Sequence, residues 1–132
     1  MTQEDKELLL KDLCARLPYG VKCENYNHID GRNVFKVTDI RNNGYICGTV
    51  NNHYCWAVFD LLELKPYLFP LLSMTEEQKM FLKQQNWCIA ISTSGTVETT
   101  IEGIDWLNKN HFDYRGLIEK GLAIDATGLD IY

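Results

Sequence analysis

The densest run of chemically capable side chains is His111-Phe112-Asp113-Tyr114-Arg115. His111 is a titratable ring, and Phe112 and Tyr114 offer flat surfaces for packing or stacking. Arg115 is a planar donor suited to a carboxylate or phosphate. Together His111, Phe112, Tyr114 and Arg115 read as a recognition patch. The same run also reads as structure. Asp113 suits a helix N-cap, and Phe112 and Leu117 are spaced as a hydrophobic staple. Gly121 and Leu122 are placed for a Schellman ending. This reading predicts a short last helix from Asp113 to Gly121. Arg115 would then lie in the first turn, where the helix dipole disfavours a cation, and would need a partner such as Asp105 or Glu119.

Other chemistries have weaker spacing. Cys47, His53 and Cys55 are the best metal-ligating group, because His53 and Cys55 would share a strand face. Zinc sites ordinarily use four ligands with CxxC or HxxxH spacing, and neither occurs. Buried free thiols are the more economical reading. A nucleophile needs a neighbouring base, yet no G-x-S-x-G elbow is present and Ser94-Gly95 reads as a turn. Gly44-Tyr45-Ile46-Cys47-Gly48 lacks the Gly-Lys-Ser/Thr of a phosphate loop. No catalytic residue, metal or cofactor is therefore assigned. An aromatic pocket drawing on Tyr54, Trp56, Trp87 and Trp106 is the alternative, and would make the chain a small-ligand binder or enzyme.

Composition narrows the options further. The formal net charge is −5 over 132 residues. Residues 1–60 carry seven basic and eight acidic side chains, and the remainder six and ten. Neither part has the clustered Lys and Arg of a nucleic-acid binder, even if Lys22, Arg32, Lys36 and Arg41 gather on one side of a sheet. The odd count of five cysteines, without CxxC or an export signal, predicts free thiols and a cytoplasmic location. Apolar runs are too short to span a membrane.

The elements that would position these residues follow from periodicity. Thr2 and Asp5 form a capping box, and Leu10, Leu13, Cys14 and Leu17 mark an apolar stripe on a first helix ended by Pro18 and Gly20. A β-rich block follows, with strands at Tyr19–Glu24, Asn33–Ile40, Tyr45–Val50 and Tyr54–Phe59. Turns fall at Asp30-Gly31, Asn43-Gly44 and Asn51-Asn52. Pro66 and Pro70 forbid a long helix over Leu61–Met74, which reads as a helical turn and then an extended connector. Thr75 with Gln78 opens a second helix. Trp87–Ser92 reads as a strand, with Thr96–Thr99 returning beside it. Thr99 with Glu102 opens a third helix through Asn108. The expectation is one α+β domain over residues 1–132, with an antiparallel meander and three to four helices.

Three blocks carry a resemblance. They are Met1 to Lys22 (MTQEDKELLLKDLCARLPYGVK), Lys65-Pro66-Tyr67-Leu68-Phe69-Pro70 with Ser73-Met74-Thr75-Glu76-Glu77, and Asp105 to Tyr132. They resemble a widespread set of small uncharacterised proteins encoded by gut Bacteroidetes, their prophages and mobile elements. The resemblance implies a bacterial or phage cytoplasmic setting and no particular activity. With the composition, it leads to the expectation of a small non-catalytic interaction or regulatory protein with a protein partner.

Overall fold

A computed structural model describes residues 2–27, 31–41, 45–50, 59–60, 64–87, 89–91 and 97–132. Helix α1 spans Gln3–Arg16. Thr2 Oγ1 accepts from Asp5 N at 3.1 Å, and Asp5 Oδ2 accepts from Thr2 N at 3.2 Å. The capping box thus forms as its spacing requires. The inward face is rotated by one residue from the all-apolar stripe. Leu9, Asp12, Leu13 and Arg16 are buried, whereas Cys14 is exposed. The spacing i, i+3, i+4, i+7 is retained, but two of its four positions are charged. An ion pair within the helix makes this rotation tolerable, and Leu10 and Leu17 pack at the core's edge. A 3-10 turn at Leu17–Tyr19 and Gly20, at φ +70, redirect the chain.

Strands β1 (Lys22–Asn27), β2 (Gly31–Ile40) and β3 (Tyr45–Val50) form the antiparallel meander. Cys23 faces Phe35 across the first pair, and a bulge at Thr38 shifts register between Val37 and Asp39. The short β4 (Phe59–Asp60) pairs with β3. The turn at Asn43-Gly44 and most of the expected Tyr54–Phe59 strand lie outside the described residues.

The expected connector over Leu61–Met74 is instead β5 (Leu64–Pro70), an interior strand. Prolines excluded a long helix here but did not exclude a strand, and Pro66 sits opposite Cys23 of β1. A 3-10 turn at Leu71–Ser73 follows this strand; the helical turn expected before it falls on residues outside the described ones. Helix α2 (Glu76–Gln84) has the Thr75–Gln78 capping box. Strands β6 (Ala90–Ile91) and β7 (Val97–Glu98) form a separate antiparallel pair, shorter than the spans read from sequence. Helix α3 (Ile101–Lys109) is capped by Thr100, one residue after the expected Thr99.

The C-terminal segment departs most from expectation. Phe112–Asp113 is strand β8 and Ile124–Asp125 is strand β9, both parallel to β5. The sheet is therefore mixed and mostly antiparallel, in the order β4-β3-β2-β1-β5-β8, with β9 also on β5. The helix expected from Asp113 to Gly121 is a single turn. Its Schellman ending does form, with Leu122 N donating to Leu117 O at 2.9 Å and Gly121 N to Ile118 O at 3.1 Å. One face of the meander meets α1 and this turn. Leu9, Leu13, Phe35, Leu68, Leu117 and Leu122 join in one core. The domain is α+β, with three α-helices among the described residues.

Candidate functional site

Two linked arrangements surround β8: a buried charge cluster against α1, and a groove on the side of α2 and α3. Asp12 anchors the cluster. Its Oδ2 accepts from Arg16 Nε at 2.8 Å, and its Oδ1 accepts from Arg115 Nε at 3.1 Å. Arg115 thus finds its partner on α1, not at Asp105 or Glu119, because the C-terminal turn folds back over that helix. Arg16 also donates from Nη2 to the Phe112 carbonyl at 2.6 Å. Its remaining nitrogen, Nη1, is buried without a partner. Both guanidiniums lie over the Tyr114 ring, at 5.4 Å for Arg16 and 4.8 Å for Arg115. Arg115 Nη2 also donates to the Tyr114 hydroxyl. Two cations therefore share one carboxylate in a desolvated setting, where an unbalanced charge is felt strongly.

Asp113 makes no side-chain ion pair with either arginine, although its negative charge lies beside Arg115. Its carboxylate is spent on backbone: Oδ1 accepts from Arg115 N and Leu117 N, and Oδ2 from Ile118 N at 2.9 Å. The capping role read from sequence holds, although what it caps is one turn.

His111 links cluster and groove. It follows the end of α3 and sits at φ +62, a left-handed backbone that is uncommon for a non-glycine residue. Its carbonyl accepts from Phe69 N at 2.8 Å, which fixes β8 against β5. Its ring stacks on Tyr132, with centroids 3.6 Å apart and planes 11° from parallel. Nδ1 is buried without a partner. Burial, reinforced by the positive charges of Arg16 and Lys22, pushes the His111 pKa down to about 4. The ring is therefore neutral at physiological pH.

Tyr132 locks this corner. Its hydroxyl accepts from Lys22 N at 2.9 Å and donates to the Tyr67 carbonyl at 2.9 Å, joining β1 and β5. Lys22 Nζ donates to the Ile131 carbonyl at 2.7 Å. Burial raises the phenol pKa well above its ordinary value, so it remains a neutral donor.

The groove outside this corner measures about 470 Å³. Phe69, Phe112 and Tyr132 supply its aromatic walls, and Ser73, Gln78, Lys109 and His111 its principal polar groups. No Asp, Glu or Cys side chain lines it among the described residues. Gln78 Oε1 is committed to Thr75 N, so its amide nitrogen is the free end. Asn110 is oriented the other way. Its nitrogen donates to the Trp106 carbonyl, leaving its oxygen as an acceptor at the groove.

The structure divides the sequence-defined patch. His111 and Phe112 line the groove, whereas Tyr114 and Arg115 belong to the cluster on α1. Trp106 and Trp87 form a ladder behind the groove: Phe112 stacks on Trp106 at 5.6 Å, Trp106 on Phe81 at 6.3 Å, and Phe81 meets Trp87 edge-on. Tyr54 and Trp56 lie outside the described residues. Cys47 is a buried free thiol in β3, as is Cys23 in β1. His53 and Cys55 also lie outside the described residues. Sequence reasoning missed Phe69 and Tyr132, since neither stood in a recognisable motif. It also missed Asp12 and Arg16, whose i, i+4 spacing on an inward face was the available signal.

No family model, curated protein or solved structure matches the chain.

Proposed function

We propose that the chain is a small non-catalytic interaction or regulatory protein, and that the groove beside His111 receives a segment of a partner protein. The observation that carries this reading is the construction of the groove. A histidine in a strained backbone conformation, stacked on Tyr132 and with one ring nitrogen orphaned, borders a recess walled by three aromatic rings. Strain and unmet polar groups of this kind persist where function requires them. Leu72, 94% exposed, lines a separate apolar recess with Leu71, Met74 and Leu82. An apolar side chain so exposed suits contact with a protein partner. The lining lacks thiols and carboxylates among the described residues, and the low basicity of His111 suits recognition better than proton transfer. The resemblance of both ends to proteins of bacterial and phage origin supports a cytoplasmic setting. No helix among the described residues is long and apolar enough to cross a membrane.

The test is affinity capture from bacterial lysate with the wild-type chain and Ser73→Trp, which fills the groove. The wild type should retain a specific protein after nuclease treatment, and Ser73→Trp should lose it while melting normally. Equal retention by both would remove the groove from the account. The groove volume favours a second reading, because recesses of this size hold small molecules. A metabolite that raises the melting temperature, with no protein retained, would put that reading first.

A further inference from the structure

The chemistry of the groove indicates what its occupant carries, granted that the groove is a binding surface. Lys109 brings a positive charge to the lining and has no ion-pair partner among the described residues. Behind the lining lies the two-cations-to-one-carboxylate cluster, with Arg16 fully buried and its Nη1 unpartnered. Burial, with the positive charges of Arg16 and Lys22, lowers the basicity of the His111 ring. His111 itself is only 8% exposed, and its Nδ1 is orphaned. Its Nε2 is neither hydrogen-bonded nor among the buried orphan atoms, so Nε2 is the ring nitrogen that reaches the surface. In the Nε2-protonated tautomer it can donate there. The free amide nitrogen of Gln78 adds a further donor. The positive charge of Lys109 and the donors of His111 and Gln78 therefore share one lining with aromatic rings.

We propose that the groove selects an aromatic ring carrying a carboxylate. The ring lies against the accessible parts of Phe69 and Tyr132, which pack on each other in front of buried Phe112. The carboxylate meets Lys109 and the donors of His111 and Gln78. Offset or edge-on packing with Phe69 and Tyr132 suits an aromatic group better than an aliphatic one. Charge-assisted hydrogen bonds suit a carboxylate better than its amide. The same chemistry is offered by a free aromatic acid and by a peptide ending in an aromatic residue. Asn110 Oδ1, the uncommitted acceptor, can take a backbone N–H and so favours the peptide.

The experiment is a titration of the full chain followed by 1H–15N spectra, with N-acetyl-phenylalanine and its C-terminal amide as paired probes. Phenylacetate and a tetrapeptide ending in phenylalanine are the source probes. The acid should perturb the His111 and Asn110 signals and bind roughly tenfold more tightly than the amide, the scale of one charge-assisted contact. Lys109→Gln should erase that preference without abolishing amide binding. A tighter tetrapeptide than phenylacetate assigns the peptide source, and the reverse assigns a free acid. Equal binding of acid and amide at the groove would overturn the carboxylate while leaving the groove reading standing. Inorganic phosphate displacing the acid at equal concentration would overturn the aromatic part. Perturbation by no probe, in a chain whose spectrum shows it folded, would overturn this inference; loss of partner capture by Ser73→Trp tests the groove reading separately.

Discussion

Asp12 is the side chain on which the charge cluster depends. Removing it leaves Arg16 and Arg115 without their carboxylate in a site where Arg16 has no solvent exposure. Asp12→Ala should cost about 3–5 kcal/mol, the usual scale for an uncompensated buried charge, read from urea unfolding. Arg115→Ala should cost less, about 1–2 kcal/mol, because Asp12 keeps Arg16. An Arg115 variant as stable as the wild type would contradict the cluster. His111 gives a pH signature. Its folded pKa of about 4 lies below the unfolded value near 6.5. Between those values the unfolded chain binds more protons, so stability rises with pH there. The benefit is complete above about pH 6.5 and is lost as pH falls through 4. Histidine NMR titration should place His111 near 4, and His111→Gln should flatten the stability profile between pH 4 and 6.5.

Element boundaries show what periodicity conveyed and where it stopped. The capping boxes at Thr2 and Thr75 were legible because their partners lie three residues away. The Schellman pair of Leu117 and Leu122 was legible for the same local reason. The face of α1 was misassigned because an apolar count cannot foresee that Asp12 and Arg16 neutralise each other inward. Strand β5 was missed because Pro66 and Pro70 mask a strand whose partners, β1, β8 and β9, are remote in sequence. Asp113 looked like the start of a full helix, since a cap satisfies one turn as readily as three. At this scale Gly48 is decisive. A methyl group there would collide with the Lys36 carbonyl on β2. Backbone cannot yield as a side chain can, so Gly48→Ala should lower stability by roughly 1–3 kcal/mol, checked by thermal melting.

On the scale of the whole molecule, the two ends of the chain assemble the site. Residues of α1 and β1 hold Arg115 and Tyr132 over separations of 103 and 110 residues. Such pairings leave no periodic trace, which is why His111 and Phe112 were legible as candidates while the groove was not. Tyr132→Phe keeps the ring but removes the hydroxyl that bridges β1 and β5. It should cost about 1–2 kcal/mol by leaving backbone groups of both strands underpaired. Tyr132→Ala should cost more, since it also removes the stack on His111.

The central claim is that the groove, and not another face, is where a partner is recognised. Site-directed photo-crosslinking tests it most directly: a benzophenone amino acid in place of Ser73 at the groove, against one in place of the exposed Lys120. Illumination in bacterial lysate should give one defined protein adduct from the groove position and none from the other. N-acetyl-phenylalanine in excess should suppress the adduct. The same adduct from both positions, or an adduct from the Lys120 position alone, would contradict the assignment of the groove.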